Sequence, residues 1–372
     1  MPHRLRTLTV SLAVPAAALA VAAPGLGAHR PIEAVGGSLA SLTGSASAYG
    51  VSQARGASLA AAETRGQPVR VRLHLADDQS ANQMAVYQMT GFVGARVSAV
   101  LGPTLSGVAA AADPIAGAAG IPVLGVTNTT LDIAAAGPTF WRVSLSENRL
   151  IPASVAYAND KRDITTASLM SVTGDGYSEG AAQAFRAAAA GQGIRLLADV
   201  SMPAGSGRAA QVVAEAVAPG PQALFFAARS ADAVNLAVAA AGSSLMKVGG
   251  NGYNTPDVLQ SAGSATNGFV VSASWNPNKR DTASRAFVRD YRATYGSTPD
   301  AFAAQGYGGV QLLAAAAGAG HGGTPDRVLA GLRKVRAVPS VLGSMRFTPG
   351  VREAVYPATV QVVQGGRLLL AP

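Results

Sequence analysis

The chain contains no cysteine, which excludes structural disulfides, thiol chemistry and a lipid carried on an N-terminal cysteine. Aromatic residues are only 5% of the 372 residues and charged residues only 13%. The interleaved basic and aromatic stripe of a nucleic-acid surface has no material to form from. The 29 Lys and Arg residues outnumber the 20 Asp and Glu by nine, but they are scattered, so the charge reads as solubility and no nucleic-acid partner is expected. Only four histidines are present. His3 and His29 lie near the N-terminus, and neither His74 nor His321 has a second metal-type ligand at useful spacing. No metal site and no cofactor are expected.

What the chain does have begins with a leader. His3, Arg4 and Arg6 precede an apolar stretch from Leu8 to Ala23, the layout of a secretory signal. That stretch is shorter than the roughly 20 residues of a spanning helix, and Pro15 interrupts it. Residues 1–28 are therefore expected to be a cleaved signal, cut after Ala22 or after Ala28, which leaves a soluble, periplasmic product without stable membrane insertion. About 340 residues remain, more than one core usually organises, so two domains are expected.

Short β-branched runs alternate with Ala- and Gly-rich amphipathic segments. Strands are expected at 69–75, 97–101, 122–126, 166–172, 194–200, 223–227 and 269–272, and helices at 49–64, 81–94, 107–119, 180–192, 208–218, 231–241 and 301–317. This alternation predicts an α/β protein with parallel sheets covered on both faces. Such sheets bind ligands at the carboxyl ends of their strands.

Enzyme chemistry does not assemble. There is no Gly-x-Ser-x-Gly nucleophile elbow. The Gly-x-Gly-x-x-Gly match at Gly318 to Gly323 follows a helix instead of a strand, the wrong setting for a dinucleotide phosphate. Asp77 and Asp78 are adjacent in a strand and point to opposite faces, so capping fits them better than acid-base work.

Ordered segments along nearly the whole mature chain resemble the leucine/isoleucine/valine-type solute-binding proteins of ATP-driven importers. They include Gly37-Ser38-Leu39, Tyr49-Gly50, Asp77-Asp78-Gln79, Leu101-Gly102-Pro103, Gly120-Ile121-Pro122-Val123, Phe140-Trp141-Arg142-Val143, Gly176-Tyr177-Ser178-Glu179-Gly180, Pro299-Asp300-Ala301-Phe302 and Gly343-Ser344-Met345-Arg346-Phe347. The resemblance implies a type I periplasmic binding fold: two doubly wound parallel-sheet lobes joined by three hinge crossings, near 143–147, 273–276 and 339–343. Lobe 1 would comprise residues 29–143 plus 276–340, and lobe 2 residues 144–275 plus 341–372. It also implies a monomeric, noncatalytic protein that passes a small molecule to an ABC permease, with a ligand sensor of the same fold as the alternative role.

The resemblance places a ligand carboxylate at Ser106 and at the run Thr127-Asn128-Thr129, with Tyr177 lining the cleft from the other lobe. Tyr49, Trp275 and Phe302 are candidates for an apolar wall. Two departures bear on the ligand: the acid that amino-acid-binding members place after the strand near Gly249-Gly250 is here Asn251, and Arg229 follows the run Phe225 to Ala228. A neutral amide cannot compensate an ammonium as an acid does, whereas an arginine fork suits a carboxylate. The expected ligand is a carboxylate or amide compound, with a branched-chain amino acid as the alternative should another acid, Asp175 for example, supply the missing charge.

Overall fold

A computed structural model describes residues 30–130 and 137–372; the expected signal segment lies outside the described residues. Five strands form the first sheet: β1 (Ile32–Ala40), β2 (Val69–Asp77), β3 (Ala99–Leu101), β4 (Val123–Gly125) and β5 (Phe140–Arg142), in the order β2-β1-β3-β4-β5. All its pairings are parallel. The second sheet contains β6 (Thr166–Thr173), β7 (Arg195–Pro203), β8 (Ala223–Ala227), β9 (Met246–Gly249), β10 (Val270–Ala273), β13 (Thr359–Gln364) and β14 (Arg367–Leu370), in the order β14-β13-β10-β9-β8-β6-β7. Its first five strands in sequence are parallel, while β13 and β14 add an antiparallel edge. That edge departs from the all-parallel expectation; Gly365-Gly366 joins its two strands, both glycines at positive φ, as a two-residue hairpin turn demands.

Helices α1 (Ser47–Glu63), α2 (Asn82–Gly94) and α3 (Ser106–Ala118) follow β1, β2 and β3. Helices α4 (Glu147–Arg162), α5 (Gly176–Gly191), α6 (Ala209–Val217), α7 (Ser230–Ala239) and α8 (Pro256–Ala262) accompany the second sheet. Helices α9 (Thr282–Tyr295), α10 (Ala301–Ala319) and α11 (Pro325–Lys334) return to the first. Among the described residues no helix is long and apolar enough to cross a membrane.

The abundance of small residues has a structural use where α1 meets α10. A Cβ on Gly56 would stand 1.8 Å from the Ala303 carbonyl oxygen, and one on Gly306 would stand 2.1 Å from that of Gln53. These helices touch backbone to backbone. The glycine match at 318–323 serves packing in the same way, since a Cβ on Gly323 would meet the Glu33 carbonyl oxygen at 1.7 Å.

The chain passes from the first sheet to the second between β5 and α4, and back between β10 and Trp275, which is fully buried in the first sheet's core. The third passage lies later than expected. Strands β11 (Ala337–Ser340) and β12 (Gly343–Arg346) form a hairpin, and Val338, Val341, Leu342 and Met345 are buried in the first sheet's core. Tyr356 still belongs to that core and donates to the Val143 carbonyl at 2.9 Å. Residues 339–343 are thus a turn held by apolar burial, and the crossing falls between Tyr356 and Thr359.

Candidate functional site

The carboxyl ends of the two sheets face each other. The segments that follow β1, β3 and β4 bring Tyr49, Ser106 and Thr127, and those that follow β6, β8 and β9 bring Tyr177, Arg229 and Asn251, to one narrow cleft. Thr104, Leu105, Gly252 and Phe302 complete its lining. The N-termini of α3 and α5 meet here: a Cβ on Gly176 would lie 3.4 Å from the Gly107 Cα. Two helix starts aimed at one space favour an anionic group.

On the first side, Ser106 opens α3, and its hydroxyl faces the Thr129 amide at 3.4 Å. Thr127 donates to the Thr104 carbonyl at 2.8 Å and to Gln53 Oε1 at 3.0 Å, which also accepts from the Thr104 hydroxyl at 3.0 Å. Gln53 lies inside α1, fully buried; it ties the two ligand-side loops together, and nothing in its local sequence separates it from an ordinary helix glutamine. Asn128 does not line the cleft: its side-chain amide donates to the Pro103 carbonyl at 2.8 Å, so its role is to shape the loop. Arg142, buried in β5, donates to the Asn128 carbonyl at 2.8 Å and the Thr130 carbonyl at 2.6 Å. Ser144 also donates to the Asn128 carbonyl.

On the second side, the Tyr177 hydroxyl accepts from the Gly252 amide at 2.8 Å. Burial, first, and then the nearby Glu147 carboxylate push this hydroxyl well above its ordinary range, so it stays protonated. Asn251 is buried, and its side-chain oxygen accepts from Asn254 Nδ2 at 2.8 Å. Asn254 in turn accepts from Gln361 at 2.5 Å, and Gln361 from Asn276 at 2.5 Å. The neutral residue at 251 thus begins a buried amide chain that reaches the second crossing.

Arg229 does not present a free fork to a ligand. Its Nε and Nη2 both reach Asp175 Oδ1, at 2.8 and 2.6 Å, and the pair is largely buried. Asp175 also caps α5, accepting from the Ser178 amide at 3.0 Å and hydroxyl at 2.7 Å. The charge expected for a ligand carboxylate is already matched within the second side, and the acid named as a possible ammonium partner is matched with it. Asp175→Asn is expected to lower stability by about 2–4 kcal/mol, because it strands a largely buried guanidinium and weakens a helix cap; chemical denaturation measures it.

Contacts across the cleft converge on Tyr49, whose ring stands edge-on to Phe302 at 5.0 Å. Its hydroxyl donates to the Gly252 carbonyl and accepts from the Ser230 amide, both at 2.9 Å. The Ser230 hydroxyl donates to the Ser45 carbonyl at 2.8 Å. These bonds join the two sides of the cleft. Trp275 is not part of the wall; its ring packs on Phe287, and its indole N–H donates to Ser284 at 2.9 Å.

Glu147 went unnoticed in the sequence. It is the first residue of α4, 2% exposed, and its amide donates to the Thr129 carbonyl at 2.8 Å. Burial pushes its carboxyl up to about 7, opposed by the Thr129 and Tyr177 hydroxyls, the Asn251 amide and the charge of Arg142. Neither carboxyl oxygen has a well-formed hydrogen bond among the described residues, and neither has the Thr129 hydroxyl. Among the described residues no group of three or more acids and histidines could hold a metal.

The chain matches known proteins along nearly its whole length. The model of a periplasmic binding protein family matches residues 37–367. The chain belongs to that family. Among solved structures, a leucine-binding protein from Thermotoga maritima superposes with a TM-score of 0.84 at 19% identity, over 91% of this chain and 98% of that one. A branched-chain amino acid transporter substrate-binding protein from Streptococcus pneumoniae, in complex with isoleucine, gives 0.82 at 23% identity over 91% and 98%. A solute-binding protein of an ABC transporter from R. palustris, in complex with benzoate, gives 0.79 at 21% identity over 91% and 95%. No curated protein matches the chain in sequence. The periplasmic binding protein has the type I fold expected from its sequence, in a family of binding proteins and not of enzymes.

Proposed function

We propose that this protein is the extracytoplasmic solute-binding component of an ABC importer, and that it closes around a small ligand bearing a carboxylate or amide group. The two sheets with their helices act as lobes hinged at residues 143–147, 273–276 and 356–359. Closure stacks Tyr49 onto the Gly252 and Ser230 backbone, and the permease receives the closed form. The observation that carries the reading is the convergence of six strand-end loops from two parallel sheets on one cleft, with the helix start at Ser106 facing into it.

Ser106 and the Thr129 amide supply the anion end, since preorganised donors at a helix start hold a carboxylate without a paired lysine or arginine. With Arg229 bound to Asp175, the feature that set a plain acid above an amino acid loses its force. The neighbours with isoleucine and with benzoate bracket the range.

Thermal unfolding against amino acids, aliphatic and aromatic acids and short amides tests the reading. A ligand at about 100 times its Kd stabilises by about 2.7 kcal/mol, a midpoint rise of about 5 °C for a protein of this size. Ser106→Ala is expected to remove most of that rise. An unchanged response in Ser106→Ala would place the ligand elsewhere.

A further inference from the structure

A second cavity, of about 270 Å³, shares no lining residue with the cleft. Three segments build it: β5 with Trp141, the end of α11 with Arg333 and Arg336, and the chain after β12 with Phe347 and Arg352. Backbone hydrogen bonds hold the three together. The Phe347 amide donates to the Arg336 carbonyl at 2.8 Å, and the Arg142 amide to the Arg352 carbonyl at 2.7 Å. The Trp141 and Phe347 rings meet edge-on at 5.7 Å and, with Val335, belong to the first sheet's core. The floor of the cavity is therefore apolar, and packing fixes its shape.

The rim is cationic. Arg333, Arg336 and Arg352 all line the cavity, and no Asp or Glu does. Other exposed arginines have acidic partners, as Arg186 has Asp199 and Arg289 has Asp290. None of these three is in a salt bridge among the described residues. Arg336 gives Nη1 to the Arg333 and Val335 carbonyls, at 2.7 and 3.3 Å, which satisfies the end of α11 and leaves its other nitrogens unused. A cation in the last turn of a helix suits the helix dipole, so Arg333 by itself needs no ligand. Arg352 lies in no helix, and three like charges gathered round one apolar hollow repel each other unless an anion joins them. Guanidinium groups offer donors and no acceptor. Trp141 carries one more donor, since its indole N–H is buried without a partner among the described residues.

Donors and positive charge round an apolar floor are the complement of an organic anion. An inorganic anion would use the rim and leave the aromatic floor uncovered; a neutral ring would do the reverse. We propose that this cavity is a second binding site, for a small aromatic compound with a doubly charged acidic end, either a dicarboxylate or a phosphate monoester. Arginine forks hold both kinds of group through paired hydrogen bonds, and the Trp141 and Phe347 rings pack against the apolar body. The volume is near the lower end of the ~300–1,000 Å³ usual for small-molecule sites, which suits one ring with its acidic group. The site is independent of the ligand in the cleft.

The test follows tryptophan fluorescence of the full mature protein, with calorimetry as the second readout. The chain has two tryptophans, and Trp275 does not line this cavity. Phthalate, phenyl phosphate, inorganic phosphate and benzamide are titrated at low ionic strength. The proteins are wild type, Ser106→Ala, and a variant carrying both Arg333→Gln and Arg352→Gln. Phthalate or phenyl phosphate should bind wild type and Ser106→Ala alike, and at least ~10-fold more weakly in the double variant. Whichever of the two binds tighter identifies the acidic group. Its affinity should fall as salt rises, and inorganic phosphate and benzamide should each bind at least ~10-fold more weakly than it does. The double variant should melt within about 2 °C of wild type, because neither guanidinium is bonded within the fold. Equal affinity in wild type and the double variant, or binding lost only in Ser106→Ala, would overturn the proposal, as would no binding of either compound. Inorganic phosphate binding as tightly as phenyl phosphate would reduce the site to a basic patch for an adventitious ion only, and overturn it too.

Discussion

Replacing Arg142 by methionine should lower the thermal midpoint by on the order of 10 °C and abolish the response to any cleft ligand. The guanidinium is buried in β5 and holds the loop that carries Thr129, through the Asn128 and Thr130 carbonyls. Methionine fills a similar volume but donates nothing. Two buried carbonyls then lose partners, at about 1–3 kcal/mol each, and the loop is no longer pinned against Ser106. Burial lowers the Arg142 pKa, and the Glu353 and Glu147 charges raise it, so lysine, which loses its proton more readily when buried, should not rescue the loop. Melting curves with and without ligand measure both effects. A variant that melts lower but still binds normally would show that the loop keeps its shape without Arg142.

The second large effect is expected at Gly56. An added methyl would sit 1.8 Å from the Ala303 carbonyl oxygen, closer than any nonbonded pair allows, and the obstacle is backbone. Alanine normally favours a helix over glycine by about 1 kcal/mol. Here Gly56→Ala should instead destabilise by about 3 kcal/mol or more, because α1 and α10 must move apart. The shift reaches the site, since Tyr49 and Gln53 ride on α1 and Phe302 on α10. Chemical denaturation should show a lower midpoint with an unchanged slope. Equal stability of the variant would mean that the helices separate at no cost.

Much of this architecture was legible because the alternation of strand and helix patterns is local. The strand expected at 69–75 is β2, and the apolar run 223–227 is β8. Strand β1 was not among the expected strands, and it carries Gly36 and Gly37 in its middle. In the fold they let neighbours close in: a Cβ on Gly37 would lie 2.7 Å from the Phe92 ring. The late third crossing had the same origin, since only tertiary contact shows that Val341 and Leu342 turn into the first core.

Six of the eight site residues named from sequence line the cleft: Tyr49, Ser106, Thr127, Tyr177, Arg229 and Asn251. They were named from the family resemblance, and their place at the strand ends agrees with the rule that ligands meet strand ends. Their partners do not. Arg229 and Asp175 are 54 residues apart in sequence, and the salt bridge that engages Arg229 exists only once β6 and β8 lie side by side. Nothing in its local sequence sets Glu147 apart. Its isolation from water comes from the Thr129 loop, Tyr177 and Asn251, three separate segments that local patterning cannot bring together.

The most direct test is a crystal structure of the protein grown with the carboxylate-bearing compound that most raises its thermal midpoint. The ligand should lie between the carboxyl ends of the two sheets, with its carboxylate about 3 Å from the Ser106 hydroxyl and Tyr49 and Tyr177 against its sides. Density for the ligand at any other place, with Ser106 bonded only within the protein, would contradict the assignment of the cleft.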